Sequence, residues 1–213
     1  VIVSADDPSM HSSQNEQDNR HYARAAKLAM VEPSDSQECL DFMREAYRIS
    51  EQFDIPVLFR TTTRVAHSKS IVTFGEREEQ EAKPYARNTR KNIASPANAF
   101  LNHPKLEKTL EALEAYGCTS PLNRMELNGT KVGVISASIA YEYAKDAFPA
   151  DTSFLKLGLT YPLPMDLIRD FAGRWTSSVR SQRRSRSSTS SRSSTILWNP
   201  RSARPVSPVR ARA

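Results

Sequence analysis

His11, Ser12, Ser13, Gln14, Asn15, Glu16 and Asp18 crowd together just after the apolar opening VIVSA and the Asp-Asp-Pro-Ser that ends it. A serine beside a histidine is the raw material of nucleophilic catalysis, in which the imidazole takes the hydroxyl proton. No Gly-x-Ser-x-Gly elbow accompanies it. Ser, Asn and Asp also gather at helix starts, where their side-chain oxygens accept from free backbone N–H groups; a solvated cap is therefore the plainer reading. A second polar group, RTTTRVAHS, sets Arg60, Arg64 and His67 around three threonines. Arginine in such a place clamps a carboxylate or phosphate through paired hydrogen bonds, or closes a solvated turn through a salt link. GVISAS, later in the chain, lacks the GxGxxG spacing that admits a pyrophosphate to backbone N–H groups. The two cysteines, Cys39 and Cys118, form no CxxC and no His-rich spacing, so neither a disulfide framework nor a zinc or iron-sulfur site follows from them.

Elements of alternating type must hold these groups. VIVSADDPS reads as a strand running into a loop, and the polar stretch up to Ala26 carries a weak helical face through Tyr22, Ala25 and Ala26. KLAMVEPS reads as the next strand. Ser34 with Gln37 forms a capping box behind Pro33, and Leu40, Met43, Ala46, Tyr47, Ile49 and Phe53 recur at helical spacing, which predicts a helix over 35–53. DIPVLFRTTTR supplies a third strand with the continuous apolar centre of a sheet covered on both faces. Strand, helix and strand in this order imply a parallel α/β sheet, whose carboxyl ends carry ligands. Two loops are expected to leave those ends, Asp6 to Asp18 and Arg60 to His67.

From Lys69 to Thr130 the chain reads as a polar connector with one helix marked by Leu106, Leu110 and Leu113 and stopped at Gly117. At Lys131 the α/β rhythm resumes: strand KVGVISAS, helix IAYEYAKDAF, strand TSFLKLGL, turn TYPLP, helix MDLIRDFAGRW. The expected fold class is α/β, with parts of two parallel-sheet three-layer domains followed by a disordered tail. The net charge of +6 is misleading as a guide to partners, since Thr176 to Ala213 holds nine Arg and no Lys, Asp or Glu, leaving residues 1–175 at −3. No apolar run approaches the ~18 residues of a membrane span, and a cytoplasmic location is expected. The opening lacks an initiator Met and reads as the end of a buried strand, as a fragment would.

SADDPSMHSSQNEQDNRHYARAAKLAMVEPSDSQE, PVLFRTTTRVAHSKS and FLKLGLTYPLP resemble the large subunits of indolepyruvate ferredoxin oxidoreductases, within the thiamine-diphosphate-dependent 2-oxoacid:ferredoxin oxidoreductase superfamily. The resemblance covers nearly all of 1–175. It implies that 1–66 is the C-terminal half of a pyrimidine-binding domain, 67–130 a crossing segment, and 131–175 the start of a transketolase C-terminal-like domain. It implies oxidative decarboxylation of an aryl 2-oxoacid to acyl-CoA, with thiamine diphosphate, magnesium and 4Fe-4S clusters as cofactors. A smaller beta subunit, ferredoxin and coenzyme A are the implied partners. His11, Ser12, Ser13, Gln14, Asn15 and Asp18 would then face cofactor and substrate, with Arg60, Arg64 and His67 at the same sheet edge; no single residue receives a proton-transfer role. Because no Gly-Asp-rich magnesium motif and no cysteine run occurs, this chain alone is expected to bind neither cofactor and to be inactive. Relatives usually show Gly where this chain has Ser138, which places the tightness of that strand-to-helix turn in question. A pyruvate-type relative is the alternative within the superfamily.

The segment 176–213 departs from that pattern. Arg184 to Thr189 can be encoded so that a neighbouring frame reads Val-Glu-Glu-Leu-Asp, the motif the resemblance leads one to expect there. Ser190 to Ser194 extend it as Leu-Phe-Glu-Glu-Gln. A frameshift is the expected origin of this tail. Otherwise the arm is a nucleic-acid-binding module acting through phosphate neutralisation, with a steep salt dependence.

Overall fold

The computed structural model describes residues 1–77, 79, 84–129 and 132–174. The tail over 176–213, with the expectations placed on it, lies outside them.

Two sheets organise the chain. The first has the order β1 (Ile2–Asp6), β3 (Val57–Thr62), β2 (Ala29–Val31), β7 (Leu159–Tyr161). β1 and β2 both run parallel to β3, in a register that sets Ile2 against Leu58 and Asp6 against Thr62, while β7 lies antiparallel to β2. The second sheet has β6 (Ser153–Leu157) at its centre, parallel to β5 (Gly133–Ala137) and antiparallel to β4 (Arg124–Glu126). α1 (Arg20–Ala26), α2 (Ser36–Phe53), α3 (Thr63–His67), α4 (Thr89–Asn92), α5 (Pro96–Gly117) and α6 (Ile139–Ala147) surround them, and 165–174 is helical. The mixed α/β class with parallel sheets is the one expected from the strand-helix-strand alternation.

α2 packs Phe42, Ala46 and Ile49 against Ala29, Val31, Val57 and Phe59, and Leu113 of α5 closes the same core. The hydrophobic effect rewards this burial by about 25 cal/mol per Å² of apolar surface. α2 starts one residue later than its capping box suggested. Asp35 is the N-cap, accepting from Glu38 N at 2.8 Å, and Glu38 accepts from Ser34 N at 2.8 Å. The cap is therefore Asp35 and not Ser34: Asp35, in extended backbone, takes the Glu38 N–H, and the Glu38 carboxylate reaches back one residue further, to Ser34 N.

Three other expectations change. TSFLKLGL does not form one strand. It breaks at Gly158, where a Cβ would meet the Leu122 carbonyl oxygen and the Phe42 ring, and its halves enter different sheets. Arg60 does not lie in a loop: β3 continues through Thr62, and 63–67 is the short helix α3. The polar connector also carries α4 and β4, and α5 begins at Pro96, well before the leucines that marked it, running through Pro104. Proline removes one internal hydrogen bond, which is why sequence patterning starts that helix late.

Candidate functional site

β1 ends in two carboxylates with opposite duties. Asp6 is buried and faces inward, where Oδ2 accepts from Arg60 Nε at 2.6 Å and from Asn19 N at 2.9 Å. Arg60, itself buried on β3, also pairs with Glu32 beyond the end of β2. One guanidinium thus ties together the carboxyl ends of three neighbouring strands. A buried cation with only one partner would leave much of its desolvation unrecovered; two carboxylates satisfy it from both sides.

Asp7 points the other way and gathers the loop. Its carboxylate accepts from His11 N at 3.0 Å, Ser12 N at 2.7 Å, Ser13 Oγ at 2.9 Å and Thr63 Oγ1 at 2.6 Å. The Thr63 hydroxyl, followed by the Ser13 amide, holds the Asp7 carboxyl well below the usual carboxylate range, since each donor favours the charged form. This explains the turn: Ser9 and Met10 take left-handed backbone, with φ of 68° and 53°, and the polar loop folds back around a fixed anion.

Of the residues expected to face cofactor and substrate, Ser12, Ser13 and His67 line a common recess of about 260 Å³ with Asp6, Asp7 and Thr63. His11 contributes its backbone to Asp7, and its side chain is exposed, as are those of Gln14, Asn15 and Arg64. Asp18 forms a forked pair with Arg20, both bonds 2.7 Å. The Arg20 side chain, chiefly through its hydrogen bonds, lowers the Asp18 pKa. Arg60 faces away from the recess, into a second cleft lined also by Arg20, Glu32 and Thr62. Sequence reading missed Asp6, Asp7 and Glu32. The signal was present as acidic residues at the ends of apolar strands, SADD and MVE, where a charge is buried only when something holds it.

A second polar cluster joins the sheets. Lys156, fully buried on β6, makes an ion contact with Glu38 of α2 and sits 4.9 Å from the centre of the Phe42 ring. Burial pushes the Lys156 ammonium down and the Glu38 carboxylate opposes it. Ser34 Oγ lies 2.9 Å from both Glu38 and Glu142, and Ser138 Oγ donates to the Pro33 carbonyl at 3.0 Å. Nearby, burial pushes the Glu126 carboxyl up, but hydrogen bonds from Tyr141, Arg124 and Lys145 outweigh it and hold the group at about 2. Burial, with Asp35 and Glu38 beside it, pushes the Cys39 thiol up to about 11, which leaves it protonated and unreactive near neutrality. Among the described residues no group of three or more His, Cys, Asp or Glu is placed to hold a metal ion, and no helix is long and apolar enough to cross a membrane.

Comparison with known proteins identifies the family. Residues 6–116 match the family model described as pyruvate flavodoxin/ferredoxin oxidoreductase, thiamine diphosphate-binding. The chain is 44% identical over 177 residues to the indolepyruvate oxidoreductase subunit IorA of Methanothermobacter marburgensis, and 40% identical over 176 residues to that of Archaeoglobus fulgidus. Each alignment takes in 80% of this chain, which spans 29% and 28% of those relatives' length. A solved 2-oxoglutarate:ferredoxin oxidoreductase from Magnetococcus marinus shares the fold with a TM-score of 0.53 at 15% identity, over 81% of this chain and 39% of that one. The match begins at Asp6, the carboxylate that anchors Arg60, and takes in the Asp7 loop, α3 and all but the end of α5; the chain belongs to the thiamine-diphosphate-binding pyruvate flavodoxin/ferredoxin oxidoreductase family.

Proposed function

We propose that the chain is part of an enzyme that oxidatively decarboxylates aryl 2-oxoacids of the indolepyruvate kind, passing electrons to ferredoxin and the acyl group to coenzyme A. The observation that carries this reading is the built polar edge at the carboxyl ends of β1 and β3, inside the stretch that matches a thiamine-diphosphate-binding family. Names of relatives favour indolepyruvate; the family description favours pyruvate as the second reading.

The recess offers the Ser12 hydroxyl, the His67 imidazole and the hydroxyl oxygens of Ser13 and Thr63, whose protons go to Asp7. Such a mixture of donors and acceptors suits an amino-substituted heteroaromatic ring such as the thiamine pyrimidine, and it does not suit a metal-diphosphate group. When bound, the cofactor supplies the electron sink for decarboxylation. Asp6 and Arg60 hold the two strand ends at fixed spacing. Asp7 holds the loop that presents Ser12 and Ser13, while His11, Gln14, Asn15, Asp18 and Arg64 form its outer, substrate-facing rim. In this reading magnesium, 4Fe-4S clusters and a smaller partner subunit belong to the complete cytoplasmic enzyme, and the chain alone is inactive. Residues 1–66 are then the second half of a pyrimidine-binding domain, 67–130 the crossing segment, and 131–175 the opening of a transketolase-like domain, with β7 reaching back to the first sheet.

The test is a chimera in which residues 1–174 replace the matching stretch of the Methanothermobacter marburgensis subunit, assayed as the assembled enzyme. Thiamine-dependent reduction of a viologen dye with indolepyruvate, exceeding that with pyruvate, is expected. Preference for pyruvate sinks the substrate assignment, and no activity from a correctly assembled chimera sinks the reading itself.

A further inference from the structure

Between β4 and β5 the chain reads Leu127-Asn128-Gly129, which holds the one Asn-Gly pair in the sequence. Such a pair carries its own chemistry. The backbone nitrogen of the second residue can attack the side-chain amide carbon of the first. A C–N bond forms in a five-membered succinimide, the Cγ–Nδ2 bond breaks, and ammonia leaves with the backbone amide proton. Water then opens the ring, giving aspartate or isoaspartate. No oxidant or cofactor is needed, and glycine admits the ring best because it has no Cβ and the freest backbone.

Packing fixes this fragile pair in place. A Cβ at position 129 would run into the Asp151 carbonyl oxygen, so the close approach of two chain segments, and not a left-handed turn, requires the glycine. Ser153, fully buried at the start of β6, closes on both residues. Its hydroxyl oxygen accepts from Asn128 N at 3.0 Å and from Gly129 N at 3.1 Å, and its proton goes to the Gly129 carbonyl at 2.7 Å. One hydroxyl thus spends its whole donor and acceptor capacity on the pair. The leaving group is tied as well, since Asn128 Nδ2 donates to the Thr152 carbonyl at 3.1 Å. The attacking nitrogen keeps its proton engaged, and the side-chain amide is held at Thr152. Asn128 is nonetheless exposed, so water reaches it.

We propose that Asn128 is a deamidation site, closed by Ser153 in the folded chain and opened when the loop before β5 releases locally. The change runs one way. An aspartate at this position has no N–H for the Thr152 carbonyl, and isoaspartate adds an atom to the main chain between the two amides that Ser153 holds. Ser153 stands opposite Gly133 of β5, and Phe154 beside it stands opposite Glu126 of β4, so damage here loosens the end of the second sheet. The site lies apart from the Asp7 recess and does not depend on the thiamine reading.

Peptide mass spectrometry of the full chain, incubated near neutral pH with and without unfolding urea, follows amide-to-acid conversion at Asn128. Conversion in the native chain is expected to be slower than in urea by at least about tenfold, as for a reaction that waits on local opening. Ser153→Ala is expected to raise the native rate at least about threefold as its hydrogen bonds are lost. Hydrogen exchange of the Gly129 amide supplies a reading that needs no variant: its protection in the wild type should match the slowing of deamidation within about threefold, because both await the same release. If Ser153→Ala fails to fold, that match decides alone. The proposal is overturned by absence of conversion in urea, by a native rate less than about tenfold slower than the unfolded one, or by a folded Ser153→Ala chain that converts no faster than wild type. A Gly129 amide whose protection does not match overturns it equally.

Discussion

At the scale of single residues, Arg60 and Asp7 hold the site, and each makes a separate prediction. Arg60 is buried between two carboxylates that are more buried still. Arg60→Met leaves both without their cation and is expected to cost about 3–5 kcal/mol, the range for breaking a buried pair from one side. Urea unfolding measures it; a loss below about 1 kcal/mol would mean that water reaches Asp6 and Glu32. For Asp7 the prediction concerns pH. Its pKa is held below the 3.8 of a free side chain, so on acidification the unfolded state takes the proton first, and stability falls. The contribution is complete above pH 3.8 and fades as pH drops below it. The stability difference between the wild type and Asp7→Asn is expected to shrink from pH 6 to pH 3 at constant salt; a difference independent of pH refutes the ionic role. Sequence reading found the neighbourhood and Arg60, and missed Asp7. Dense polar loops are visible as composition, whereas the carboxylate that organises one is defined by which N–H groups converge on it.

At the scale of elements, periodicity was legible and boundaries were not. The spacing of Leu40, Met43, Ala46 and Ile49 located α2 closely, because an amphipathic face repeats over several turns. Its cap was misplaced by one residue, because Ser34, Asp35, Gln37 and Glu38 all have capping chemistry and only tertiary packing decides among them. The turn from β5 to α6 was singled out correctly. Ser138 there has φ 51° and ψ −150°, a combination essentially confined to glycine and costing about 1–3 kcal/mol elsewhere. Its hydroxyl recovers part of this through Pro33, a bond worth a net ~0.5–1.5 kcal/mol. Two substitutions separate the terms. Ser138→Ala loses the bond and keeps the strain; Ser138→Gly loses the bond and relieves the strain. The glycine variant is therefore expected to be more stable than the alanine variant by about 1–3 kcal/mol in thermal or urea unfolding. Equal stabilities would show that the turn relaxes and that no strain is stored.

At the scale of the whole molecule, the sequence suggested two α/β pieces joined by a long crossing segment, and the contacts between them were invisible because they join residues far apart in the chain. Lys156 was hidden inside the apolar run FLKLGL. It reaches from β6 to the first turn of α2, where Glu38 also accepts from Ser34 and lies 3.7 Å from Arg124. Two residues later the same chain crosses at Gly158 into β7 and becomes an outer strand of the first sheet. Strand exchange and buried ion contact therefore act at one place, and the second sheet should not unfold without disturbing the first. A double-mutant cycle on Lys156→Met and Glu38→Gln tests this. Lys156→Met alone strands a buried carboxylate and is expected to cost about 3–5 kcal/mol. The double variant should cost less than the sum of the two single changes by about 0.5–3 kcal/mol, the coupling usual for groups in contact. Far-UV circular dichroism, dominated by α2 and α5, and the backbone amide NMR signals of Val134, Ile135 and Leu155 in the second sheet should give coincident transitions in the wild type. Additive single costs together with separated transitions would mean that the sheets fold independently and that the Lys156 contact joins nothing.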